Sequence, residues 1–200
     1  MDLLNVLFGG IGGAIISAAV AYYIYAKTKK PPSGKAYEIL KGLGKILEQL
    51  EGEYYTTRSA DDNFHVANHI YNHADGEIIV TAFHENPATY GERDLARSFK
   101  YGGSLFTRIT CEDICGAESQ KKARQFLSGI LKGSTFVVIP KGEAITRADG
   151  VFCRCKDNTY LSFTAFRDPK DARKNKGVVF TGGIARIFFE YYQSLIEKYT

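Results

Sequence analysis

Hydrophobic positions crowd the start of this chain. Residues 3–26 carry no charged side chain, and Lys27, Lys29 and Lys30 follow at once. Wound as a helix at about 1.5 Å per residue, a run of that length exceeds the roughly 30 Å hydrocarbon core of a bilayer. A cleaved signal peptide would need a basic leading segment, an apolar core of about 7–15 residues and a small-residue cleavage site. Only Met1 and Asp2 precede the run here, and it closes on Tyr22, Tyr23, Ile24 and Tyr25. Tyrosines suit the membrane interface, and lysines on the C-terminal flank place that side in the cytoplasm. The pattern predicts a single-pass anchor over residues 1–30 in the cell membrane, N-terminus outside. Residues 31–34, Pro-Pro-Ser-Gly, read as a linker. Within the anchor, Gly9, Gly13, Ser17 and Ala21 recur every four residues. Small residues at that spacing let helices approach closely in lipid, which predicts a homodimer or a protein partner, although small residues are also simply common in membrane helices.

After the linker the period changes repeatedly. Ile39, Leu40, Leu43, Ile46, Leu47 and Leu50 recur at helical spacing and predict an amphipathic helix up to Gly52. Residues 53–58, rich in tyrosine and threonine, read as a short strand. Asp61 or Asp62 is placed to cap a helix running to Ala74, with Phe64, Ala67, Ile70, Tyr71 and Ala74 on its buried side. The run Ile78-Ile79-Val80 suits a strand buried on both faces. A helix around 92–101, a strand over 105–111, a helix marked by Ala123, Phe126, Leu127, Ile130 and Leu131, and a strand over 135–139 follow. Residues 151–155 and 159–166 read as a hairpin turning at Lys156-Asp157-Asn158. Ile184, Ile187, Phe188, Tyr191, Leu195 and Tyr199 mark one face of a closing helix. Strands alternating with helices predict an α/β domain over 35–200, a mixed sheet covered on both sides.

Charge adds little to this picture. Without the anchor segment, 23 basic residues face 21 acidic ones, a net charge of +2. That balance does not advertise nucleic acid, which is expected to be an unlikely partner. The lysines beside the apolar run make an anionic lipid surface a possible one. Cys111, Cys115, Cys153 and Cys155 read as free thiols in a reducing compartment, with a four-thiolate zinc site as the competing arrangement.

Candidate chemistry is sparse. His65, His69 and His73 are four residues apart on a helix and share one broad face, so neighbours could ligate a metal. Partly solvated surface histidines are the plain alternative, because no third ligand type accompanies them. His84 follows a strand at its carboxyl end, where open α/β sheets bind ligands, and Arg93 is a further polar candidate near it in sequence. A capping role is the plain alternative for His84. Arg167, Lys170, Arg173, Lys174 and Lys176 form a basic loop that could hold phosphate or a lipid headgroup, or be an ordinary solvated loop. No Walker loop, Gly-x-Ser-x-Gly elbow or dinucleotide fingerprint is present, and no cofactor is expected.

The soluble part resembles a single half of the phospholipase D-like superfamily. The resemblance rests on residues 77–83 after a helix, 105–111 after Gly102-Gly103, the hairpin over 151–166, and Asn175-Lys176-Gly177-Val178-Val179-Phe180 before a helix with Ile184-Ala185 and Phe188-Phe189. It implies a layered α/β fold and phosphodiester chemistry through a His-x-Lys-x4-Asp signature whose histidine is the nucleophile. No histidine in this chain is followed two residues later by lysine, so no catalytic residue carries over. The resemblance therefore implies a degenerate, inactive copy acting as an interaction, sensor or scaffold module. A membrane-tethered phosphodiesterase or nuclease with an unrecognised site, or a binder of anionic lipid or metabolite, is the alternative.

Overall fold

The computed structural model describes residues 33–44, 47–49, 55–82, 105–130, 133–144, 149–166 and 175–200. All belong to the unit Pro32–Thr200. The elements run α1 (Gly34–Gly42), β1 (Leu47–Gln49), β2 (Tyr55–Thr57), α2 (Ala60–His73), β3 (Glu77–Ala82), β4 (Leu105–Cys111), α3 (Ala117–Ile130), β5 (Thr135–Ile139), β6 (Asp149–Arg154), β7 (Tyr160–Phe166), β8 (Lys176–Thr181) and α4 (Gly182–Tyr199). Among the described residues no helix is long and apolar enough to cross a membrane. The segment 1–30, with Gly9, Gly13, Ser17 and Ala21, lies outside the described residues.

The eight strands form one sheet in the order β1-β2-β8-β7-β6-β3-β4-β5. Strands β3, β4 and β5 are parallel, and every other pairing is antiparallel. The parallel strands are the apolar runs. Both faces of such a strand are covered, so neighbouring residues go to opposite cores. Ile78 and Val80 join one core with Phe106, Phe136, Val151 and Phe163, packed under Ile39 and Leu40 of α1, Val66 and Ile70 of α2 and Leu127 of α3. Ile79 joins the other with Ile109, Val137 and Phe152, under Phe189, Tyr192 and Leu195 of α4. The predicted mixed sheet layered with helices on both sides is what the described residues form.

Four local expectations are corrected. The helix predicted to reach Gly52 ends at Gly42, and Leu47 pairs with Thr57 in β1. A Cβ on Gly42 would lie 2.7 Å from the His69 imidazole, so this helix end is fitted closely against α2. The N-cap of α2 is Ser59, not Asp61 or Asp62. Its hydroxyl accepts from the Asp62 N–H at 3.3 Å, while the Asp62 carboxylate accepts from the Ser59 N–H at 2.8 Å, a reciprocal capping box. On α4 the stripe is rotated: Ile187 is exposed, whereas Ala185, Phe189 and Tyr192 are buried. On α2, Phe64 is likewise exposed, and Val66 takes the buried place.

Candidate functional site

The carboxyl ends of β3, β4 and β5 are where an α/β sheet offers a ligand site. The described residues bring an uneven set of polar groups there. Thr81, Gly150 and Thr164 stand in register across β3, β6 and β7, with both threonines buried. The Thr164 hydroxyl has no hydrogen-bond partner among the described residues. Arg108 lies further back, in the middle of β4 between Val80 and Phe136, and is 3% exposed. It shares the face of Phe106, whereas Thr81, Gly150 and Thr164 alternate onto the face of Ile79 and Phe152. The hydroxyl row and the arginine therefore sit on opposite sides of the sheet and do not converge. Arg108 was legible only as a charged residue inside an apolar strand run, a signal easily passed over.

Gly150 is walled in. A Cβ there would lie 2.4 Å from the Phe163 carbonyl oxygen and 2.8 Å from the Phe152 ring. Phe152 itself is fully buried, its ring centroid 4.5 Å from Tyr192 and 5.8 Å from Phe188. At the other end of β6, Arg154 ion-pairs with Glu77 across the strand pair and lies 5.5 Å from the Phe189 ring centroid. The Glu77 hydrogen bond raises the Arg154 pKa above its ordinary value.

The turn after β6 carries a carboxylate with assigned work. Asp157 Oδ2 accepts from the Lys35 N–H at 2.7 Å, and Asp157 Oδ1 accepts from the Thr159 hydroxyl at 2.6 Å and its N–H at 3.1 Å. Thr159 Oγ1 in turn accepts from the Ala36 N–H at 3.0 Å. These contacts cap α1, whose own N-cap Ser33 makes no side-chain capping bond among the described residues. Gly34 sits at φ +78°, and a Cβ there would meet the Asp157 carboxylate at 2.5 Å. Burial pushes the Asp157 carboxyl up, but the bonds from Thr159 and Lys35 outweigh it and hold it below the ordinary value.

Of the predicted ligand residues, His69 and His73 come together, with ring centroids 4.0 Å apart and planes at 27°. His65 is exposed and set edge-on to Phe64. No group of three potential metal ligands occurs among the described residues. Cys153 and Cys155 share a strand face with sulfurs 4.0 Å apart, and all four cysteines are buried. Burial raises the Cys115 thiol, with Arg108 opposing, and Cys153 is raised by its bond with Cys155 and by burial. Lys176 is a clasp: its ammonium donates to the carbonyls of Arg58 at 2.8 Å and Thr57 at 3.3 Å. His84, Arg93, Arg167, Lys170, Arg173 and Lys174 lie outside the described residues.

The chain matches no protein-family model and no curated protein. Solved structures similar to it include TrmBL2, described as an archaeal chromatin protein with a novel mode of DNA binding. That likeness has a TM-score of 0.49 and 15% identity, covering 100% of this chain and 70% of the other. NucT from Helicobacter pylori is similar at a TM-score of 0.44 and 12% identity, covering 72% of this chain and 97% of the other. Neither likeness transfers an activity. The expectation that nucleic acid is an unlikely partner is withdrawn beside a DNA-binding protein of this kind. Its physical ground was also thin, because a net charge averages over a whole surface and does not report a local basic patch.

Proposed function

We propose that this chain is a phospholipase D-like domain without catalytic machinery, a binding module held at the cytoplasmic side of a membrane by residues 3–26. One observation carries the reading. When the aspartate of the His-x-Lys-x4-Asp signature is laid on Asp157, at the turn between β6 and β7, the histidine position falls on Gly150 and the lysine position on Phe152. Gly150 has no room for even a Cβ, and Phe152 is stacked against α4. Asp157 caps α1. The nucleophile and its cationic partner are thus replaced by packing, and the carboxylate by a structural bond. A histidine nucleophile needs reach to a phosphorus and a partner to stabilise charge, and neither group stands at those two positions.

The test is turnover by the purified full chain on three phosphodiesters: plasmid DNA, phosphatidylcholine vesicles and bis(p-nitrophenyl) phosphate. The reading predicts no hydrolysis above buffer. Retention of DNA in a gel shift without cleavage accords with a binding module. Hydrolysis abolished by a single polar substitution would favour the tethered phosphodiesterase instead.

A further inference from the structure

We infer that His69 and His73 on α2 form an acid-sensitive clasp on α1, holding that helix at neutral pH and loosening it on mild acidification. The clasp is built from two hydrogen bonds and a stack. His69 Nε2 lies 3.1 Å from the Ile39 carbonyl oxygen of α1, and His73 Nδ1 lies 2.8 Å from the His69 carbonyl oxygen. A carbonyl oxygen only accepts, so both contacting nitrogens are N–H donors. The His69 ring also fills the space beside Gly42, where a Cβ would come within 2.7 Å of it. His73 lies over His69 with ring centroids 4.0 Å apart and planes at 27°. The lone pair of a neutral imidazole lies in its ring plane, so two near-parallel rings do not aim theirs at one ion. The pair is arranged for packing, not for sharing a metal.

The same geometry makes added charge costly. Protonation places a proton on His69 Nδ1, the nitrogen that the tether leaves free. His69 is half-buried, so its charged form loses water, and two imidazolium rings 4.0 Å apart repel. The bond to Ile39 favours the charged ring, but burial and then His73 outweigh it and hold the His69 pKa below its ordinary 6.5. The ionisable groups flanking the contact are Glu38 and Lys41 on α1 and His65 and His73 on α2. Of these only His73 acts on the ring, and His65 is turned edge-on to Phe64. Asp157, at the opposite end of α1, stays charged throughout, because its carboxyl is held below the ordinary carboxylate value. A ring that takes its proton less readily when α1 is docked links docking to pH. Docking is fully favoured above about pH 6.5 and weakens as pH falls toward the lower docked value. The opening constant of α1 then rises by up to about tenfold per pH unit, the limit for one linked proton. α1 is the first described element of the unit Pro32–Thr200, so the clasp acts on the helix that follows residues 1–31 in the chain. This holds whether or not residues 3–26 anchor the protein.

The experiment is hydrogen exchange of the full chain at about pH 7.5, 6.5 and 5.5, corrected for the pH dependence of chemical exchange and read at the Leu40 and Leu43 amides of α1 and its C-cap. Their opening constant should rise severalfold, and by no more than about tenfold, over the last pH unit. His69→Gln keeps an N–H for the Ile39 carbonyl but takes up no proton in this range, so its α1 amides should open independently of pH. His73→Gln should weaken the dependence, and His65→Gln should leave it unchanged. In the parent chain the His69 imidazole C–H signal should titrate below about 6.5, a readout that needs no variant. An α1 opening constant that does not change with pH, a dependence that survives in His69→Gln or is lost in His65→Gln, or a His69 midpoint at or above about 6.5 would each overturn the inference.

Discussion

Adding one methyl group at Gly150 tests the packing on which the functional reading rests. In the parent, the β6 backbone at Gly150 is sandwiched between the Phe163 carbonyl and the Phe152 ring, which a Cβ would meet at 2.4 and 2.8 Å. The ring could swing aside only against Tyr192 and Phe188. The carbonyl belongs to β7, which is held by ladder bonds on both sides, and has less freedom still. Overpacking a core of this kind costs about 1–3 kcal/mol. With a urea slope of about 1–3 kcal/mol per molar, a loss of about 2 kcal/mol lowers the unfolding midpoint by about 1 M. Gly150→Ala should therefore unfold at clearly lower urea with an unchanged slope, followed by far-ultraviolet circular dichroism. An unmoved midpoint would mean that the strand pair opens freely there, and the claim that the signature position is closed would fail.

Other outcomes follow from the same contacts. Phe152→Ala should cost about 3–5 kcal/mol in urea, the usual penalty for emptying a fully buried aromatic site. Asp157→Asn should destabilise the domain by about 1 kcal/mol near neutral pH, as loss of a helix cap does. The folded Asp157 carboxyl sits below its ordinary value, so its contribution is present above about pH 4 and lost as pH falls through the folded value. The stability gap between parent and Asp157→Asn should therefore close on acidification in matched urea titrations; a gap independent of pH would refute this. A double-mutant cycle on Glu77 and Arg154 should return a coupling of about 1 kcal/mol or less, because both side chains keep solvent contact.

Much of the layered sheet was legible in the chain, and the reasons are local. Ile78-Ile79-Val80 has no polar alternation, so it reads as a strand with two buried faces, and the two cores divide these residues as that reading requires. Residues 105–111 and 135–139 are bounded by turn-formers and appear as strands at those limits. The failures are tertiary. Leu47 completes a helical period with Leu40 and Leu43, yet the helix stops at Gly42 and Leu47 pairs with Thr57 across β1 and β2. Ile187 continues a plausible apolar stripe, but α4 turns toward Phe152 and Arg154 and presents Phe189 and Tyr192 instead. The histidine spacing on α2 and the lack of any His-x-Lys pair were legible in the chain. What spacing could not reveal is that the Ile39 and His69 carbonyls fix two tautomers, that Asp157 caps α1, or that Arg108 is buried mid-strand.

Native-state hydrogen exchange at the amides of Val151, Phe152 and Cys153 measures most directly the closure of β6, the strand on which the proposed reading lays the His-x-Lys-x4-Asp signature. β6 lies between β3 and β7, packed on both faces, and its residues from Gly150 to Cys153 are buried. Such amides open only with the whole domain. The account predicts that their opening free energies equal the global unfolding free energy and fall with urea at the global slope. Opening at much lower free energy, insensitive to urea, would mean a locally accessible strand and would contradict the packing on which the proposed reading rests.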